Sequence, residues 1–100
     1  MKTLNKVLLA LMLIGSVSSL SASGADIYKK CAGCHGMKAE KKALNKSQVI
    51  KGWKASKVEA ALHGYKDGTY GGPMKAIMKG QVAPLKDADI KDLAKYIESL

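Results

Sequence analysis

The chain has 100 residues, only five of them aromatic and none of them phenylalanine, and carries a net charge of +9. That length holds at most one ordinary domain. All seventeen basic residues are lysines, which argues against the bidentate phosphate reading that arginine serves, and so against nucleic acid as the partner.

The first stretch is read apart from that domain. Met1–Lys6 carries Lys2 and Lys6, the apolar run Val7–Ile14 follows, and then come small and polar residues: Gly15, Ser16, Ser18, Ser19, Ser21, Ala22 and Ser23. A positive start, a short apolar middle and a small-residue tail are the three parts of a secretory signal. The run is shorter than the about 20 apolar residues of a spanning helix. Residues 1–23 are therefore expected to be a cleaved signal peptide, cut near Ala22 or Ser23, and residues 24–100 the mature domain. Without Lys2 and Lys6, fifteen lysines face eight acids, a net charge of +7. A basic protein outside the cytoplasm points to acidic proteins or anionic lipid. So short a domain buries a modest core and usually needs a staple such as a disulfide, metal or cofactor.

From Gly24 onward the periodicity is helical. Gly24, Ile27, Tyr28 and Cys31 fall on one face of a first helix. Val58, Ala61, Leu62 and Tyr65 repeat that spacing, with Ser56 and Glu59 reading as a capping box at the start and Gly64 near the end. Pro73 suits the first position of a short helix, with Met74, Ile77 and Met78 on one face and Gly80 as its stop. Ile90, Leu93, Ala94 and Ile97 form the stripe of a last helix, with Asp87 and Asp89 in its first turn, where carboxylates complement the helix dipole. The connectors Gly36–Lys46 and Lys66–Gly72 are polar and glycine-rich. No period-two run of β-branched residues appears. The expectation is an all-α domain of about four or five short helices.

Cys31-Ala32-Gly33-Cys34-His35 is C-x-x-C-H, the attachment pattern for a c-type haem. Two thiols three residues apart on a helical turn can reach the two vinyl groups of one porphyrin and form thioethers, and His35 can then give an imidazole nitrogen to the iron. Such attachment takes place outside the cytoplasm, in agreement with the signal segment. A disulfide across two residues would constrain almost nothing. A redox dithiol would follow a strand, and none precedes Cys31. A zinc site needs four ligands; Cys31, Cys34 and His63 offer three. For the second axial ligand the residues leave Met74, Met78 and His63 open. Spacing does not choose between the methionines, and a methionine is more often core filler.

The sequence resembles class I cytochromes c, in particular the short bacterial cytochromes c-553, over essentially the whole mature chain. The resemblance rests on Gly24-x-x-Ile27-Tyr28, on CAGCHG, on Gly64–Gly72, on the Met-bearing Lys75–Gln81 segment and on the final Leu93-Ala94-x-Tyr96-Ile97. It implies a cytochrome c fold wrapped around one covalent haem c, held by Cys31 and Cys34. His35 is the proximal iron ligand, and the family register places the axial methionine at Met78. It also implies a contact between first and last helices in which Gly24 allows close approach, with Ile27 and Tyr28 on Leu93, Ala94 and Tyr96. Two features depart from the pattern. Lys86 stands where a Ser or Thr cap is expected. No proline follows His35 closely, so a backbone carbonyl within Gly36–Asn45 is expected to accept from the proximal imidazole.

The expected function follows. Histidine and methionine together leave no open iron position, and the soft thioether raises the potential. That describes an electron carrier rather than an enzyme: a soluble, monomeric, periplasmic shuttle between acidic-faced redox proteins such as a membrane respiratory complex, an oxidase or a periplasmic redox enzyme. Lys29, Lys30, Lys38, Lys41, Lys42, Lys75 and Lys79 flank the ligand segments and suit such docking. Trp53 and Tyr70 stand open between lining the haem and plain core packing. The alternative is an open-site haem protein (gas binder, sensor or peroxidase), which requires that neither Met74 nor Met78 binds iron.

Overall fold

The computed structural model describes residues 23–100, so the signal-peptide reading falls outside the described residues apart from Ser23. Helix α1 (Gly24–His35) starts where the Ser23 hydroxyl accepts the Asp26 backbone N–H at 3.1 Å, satisfying one of the free donors of the first turn. Gly24, Ile27, Tyr28 and His35 are buried along one side, and Cys31 is half-buried on the same side. Gly36 ends the helix at φ +92°, where its N–H returns to the Ala32 carbonyl at 2.8 Å. A short 3-10 turn, Ala43–Asn45, interrupts the loop that follows.

Helix α2 (Ala55–Asp67) begins two residues after Trp53. Ser56 lies inside it, and no side chain caps it, so the expected Ser56–Glu59 box does not form. The Lys54 carbonyl takes the N–H groups of Lys57 and Val58 at 3.0 and 3.1 Å, closing the first turn two residues earlier. The helix also runs past Gly64. Gly64 is a contact glycine: a Cβ there would lie 2.5 Å from Tyr70 Cβ. The stop is Gly68 at φ +83°, a left-handed conformation that favours glycine at this cap.

Helix α3 (Lys75–Val82) starts two residues beyond Pro73, with Met74 as its cap, and continues through Gly80 to the buried Val82. Its inward side carries Met74, Met78 and Val82, spaced by four, and Ile77, 47 % exposed, lies at the edge of that face and borders a hollow together with them. Helix α4 (Asp87–Glu98) starts at Lys86, as the sequence suggests. The lysine offers no side-chain acceptor, but Asp89 reaches back and accepts the Lys86 N–H at 2.9 Å, so one arm of a capping box is present.

The four helices pack with α4 against both α1 and α2, and α3 against α2. No strand occurs among the described residues. The core is built on α4: Ile90 and Leu93 are its fully buried large side chains, joined by Ile27, Tyr28, Val58, Leu62, Val82, Leu85, Ala94 and Ile97. The α1–α4 crossing is as close as the sequence suggests. A Cβ on Gly24 would lie 2.9 Å from Tyr96 Cβ and inside contact distance of the Asp92 carbonyl. The Tyr28 and Tyr96 rings meet with centroids 5.6 Å apart and planes tilted by 48°.

Two glycine substitutions should act with opposite sign. Gly24→Ala overpacks the crossing and is expected to cost about 1–3 kcal/mol. Gly80→Ala, inside α3 with no atom within 4 Å of the added Cβ, is expected to stabilise by about 0.5–1 kcal/mol. Urea midpoints at unchanged slope measure both; a Gly24→Ala midpoint equal to that of wild type would contradict the close crossing.

Candidate functional site

The end of α1 sets out the motif. Three-residue spacing puts the two cysteines on neighbouring positions of one helical surface, Cys31 half-buried and Cys34 exposed, and His35 follows at the buried end. Both thiols are free. Burial pushes the Cys31 thiol above its ordinary pKa, and burial pulls the His35 imidazole below its own. The thiol is thereby kept protonated and the imidazole neutral, which leaves the imidazole a lone pair to donate.

The turn after the motif holds His35 in place. The Tyr28 hydroxyl, buried one helix face away, donates to the Gly36 carbonyl at 2.6 Å. The same carbonyl takes the Ala39 N–H at 3.1 Å, and the His35 carbonyl takes the Lys41 N–H at 2.9 Å. Ala39, fully buried at φ +58°, gives its own carbonyl to Lys51 N–H at 2.9 Å. These backbone acceptors serve the turn, and the expected bond from the His35 ring to a carbonyl of Gly36–Asn45 is not formed: His35 Nδ1 is buried without a partner. A buried unpartnered nitrogen is costly and marks the ring as belonging to a site.

That site is a cleft in two lobes. A hollow of about 430 Å³ is walled by His35, Trp53, Val58, Ala61, Leu62, Tyr65, Tyr70, Met74, Met78 and Ile97, among others. A smaller one of about 110 Å³ is bordered by Cys31, Cys34, His35, Leu62, Met74, Met78, Val82 and Leu93, among others. His35, Leu62, Met74 and Met78 are walls of both. The larger volume lies within the usual range for a bound small molecule. Two thiols at the border, a neutral imidazole, two thioethers and largely aliphatic and aromatic walls suit a haem with two vinyl groups and an iron that takes nitrogen and soft sulfur. The residues present therefore fit the group.

Each residue singled out in the sequence now has a place. Cys31, Cys34, His35, Met74 and Met78 come together at the cleft. His63 does not: it is half-buried on α2, with Nδ1 3.9 Å from Asp87 Oδ1, and it lines neither hollow. Among the described residues no three His, Cys, Asp or Glu side chains gather, so a zinc reading finds no third ligand beside the two cysteines. Trp53 and Tyr70 line the larger hollow. Lys57 Nζ stands 3.9 Å over the Trp53 ring, a cation–π contact, and Tyr70 packs edge-on against Tyr65 at 5.1 Å. Tyr65 and the Tyr28–Gly36 bond are site elements the sequence reading did not single out. Tyr65 was visible only as a member of the α2 stripe, and the Tyr28 bond had no sequence signal beyond helical spacing. The seven lysines flanking the ligand segments are all exposed.

Tyr28→Phe removes the hydroxyl that pins Gly36 and is expected to cost about 1 kcal/mol. Its pH dependence has a definite sign. Burial pushes the Tyr28 phenol up to about 12, against about 10 when unfolded. Its contribution is thus full below about pH 10 and is lost as pH rises toward about 12. Urea midpoints across that range should fall less steeply in Tyr28→Phe than in wild type; parallel curves would refute the assignment.

The sequence profile described as Cytochrome c matches residues 21–100. The chain is similar to a cytochrome c-553 of Helicobacter pylori, 40% identical over 98 residues, covering 97% of this chain and 99% of that one. It is similar to the cytochrome c-553 of Nitratidesulfovibrio vulgaris, 38% identical over 91 residues, covering 91% of this chain and 89% of that one. It is also similar to the cytochrome c-553 of Desulfomicrobium norvegicum, 45% identical over 75 residues, covering 74% and 91%.

Proposed function

The chain belongs to the cytochrome c family, with one covalently bound haem c, and from that premise we propose that it is a periplasmic shuttle for single electrons whose iron is held by His35 and Met78. One observation carries the reading: the imidazole of His35 and the thioether of Met78 are walls of both lobes of the cleft that the two thiols border. The haem, when bound, supplies the one-electron Fe(III)/Fe(II) couple. Everything else is the work of the chain.

Cys31 and Cys34 fix the porphyrin at the end of α1 through two thioethers. His35 donates its neutral imidazole. Met78, one turn into α3, supplies a soft sulfur that favours the ferrous state, and the family register selects it over Met74. With His35 and Met78 both bound to it, the iron would keep no free position for oxygen, peroxide or substrate, which supports a carrier rather than an enzyme. With the haem in place, the apolar Val58, Ala61, Leu62 and Ile97 on the cleft wall would keep water from it and lower the local dielectric.

The exposed Lys29, Lys30, Lys38, Lys41, Lys42, Lys75 and Lys79 give the ligand-bearing segments a positive surface. Such a surface steers encounter with an acidic partner, such as a membrane respiratory complex, an oxidase or a periplasmic redox enzyme. None of the described helices is long and apolar enough to cross a membrane. The export signal, read as residues 1–23 with the cut near Ala22 or Ser23, would account for the compartment in which haem attachment takes place. Cleavage after Ala22 retains Ser23 and with it the cap of α1.

Intact mass and a visible spectrum of the natively matured protein test the proposal together. A mass equal to the chain from Ser23 plus one haem is expected, with a low-spin spectrum and a thioether–iron charge-transfer band that survives Met74→Ala. A colourless protein, or one that binds carbon monoxide at once, would exclude a closed carrier. Electron-transfer rates with an acidic redox partner should drop steadily as salt is added; rates indifferent to ionic strength would remove the docking role of the lysines.

A further inference from the structure

Two methionines reach the cleft. Met74 and Met78 each wall the larger and the smaller hollow beside His35. Each is half-buried. They stand four residues apart, about 6 Å along a helix axis, and Ile77, between them in the apolar pattern, is 47 % exposed and borders the smaller hollow.

Their backbones differ. Met78 lies inside α3. Met74 is the cap, at φ −97° and ψ 15°, outside the helical conformation. The chain leading to it is Gly71 at φ +128°, packed against Tyr65 and Lys75, then Gly72, where an added Cβ would meet no atom within 4 Å, and then Pro73. Two glycines, one in the left-handed region and one with open space beside it, and then a φ-fixing proline precede an unbranched thioether with three rotatable bonds, and that thioether already borders the space shared with His35. Packing alone explains a methionine against one wall. It does not explain a second sulfur-bearing side chain on both lobes, one turn from the first.

We propose that Met74 is a second iron-binding thioether, held beside Met78 and able to take its place as the sixth ligand. This rests on the reading of Met78 as that ligand. In the exchange the iron–sulfur bond to Met78 breaks and one to Met74 forms. No electron or proton is gained or lost, and the donor stays a neutral thioether. The consequence is a haem that remains closed when Met78 lets go, so the carrier does not turn into an open-site haem protein.

Four natively matured holoproteins test this: wild type, Met74→Leu, Met78→Leu and the double variant. Two signals are read: the thioether–iron charge-transfer band of the ferric form, and the strongly shifted methyl resonance of the liganded methionine in the ferrous form. Met74→Leu should keep both signals, from Met78. Met78→Leu should also keep both, now from Met74, with a displaced methyl resonance. The double variant should lose both and bind carbon monoxide without delay. If Met78→Leu loses both signals as fully as the double variant, the reserve role is overturned and the Met78 assignment stands. If Met74→Leu alone loses them and Met78→Leu matches wild type, the Met78 assignment itself falls, and the reserve role with it. Should Met78→Leu not accumulate, Met78→Ala poses the same question with less bulk in the cleft.

Discussion

The arrangement depends on one close approach, that of the start of α1 to the middle of α4. With no side chain at residue 24, the α1 backbone comes within van der Waals range of the Asp92 carbonyl and the Tyr96 Cβ. That distance fixes how Ile27 and Tyr28 meet Leu93, Ala94 and Ile97 within the core. Because α1 is a rigid rod, it also fixes where the far end of the helix stands. The cysteines and His35 occupy that far end, so the position of the motif is set about two turns away from it.

From there a second constraint takes over. His35 is buried at a helix end, where backbone acceptors are already claimed by Tyr28, Ala39 and Lys41. Its Nδ1 has no partner, while the ring walls both lobes of the cleft. Burial keeps the imidazole neutral in a place where the rest of the fold asks nothing of it. A ring that serves no structural hydrogen bond and faces two thioethers is suited to coordination. The sparse core agrees: Ile90 and Leu93 are the large side chains fully buried, while Trp53, Tyr65 and Met78 are only partly covered where they pack against that core and line the cleft. A bound haem would complete a hydrophobic interior that the side chains alone leave thin.

Charge is arranged on a different principle. Among the described lysines, Lys29 forms a salt bridge, at 3.3 Å to Asp26 on its own helix. Lys66 is turned onto the Leu85 carbonyl and Lys57 onto the Trp53 ring. The lysines around the ligand segments are otherwise open to solvent, and exposed pairs of this kind add little stability. Their excess is better understood as a field acting on partners than as part of what holds the helices together.

The chemistry and the helix pattern were legible in the residues. C-x-x-C-H specifies its own function because attachment requires local spacing, and local spacing is what a sequence records. The stripes of α1, α2 and α4 follow from helical period for the same reason, and the close approach at Gly24 is what the family resemblance implies. What depends on the approach of distant segments was not legible. Gly64 reads as a helix stop, yet Tyr70 packs against it and Gly68 ends α2 instead. Ser56 reads as a cap, yet the turn at Lys54 starts the helix earlier. Pro73 and Gly80 read as the limits of α3, yet the buried Val82 carries that helix further. Only the tertiary structure excluded His63 from the cleft, admitted both Met74 and Met78 to it, and left the His35 ring without a backbone acceptor. Those outcomes turn on which side chains meet across elements, and period and spacing carry no information about that.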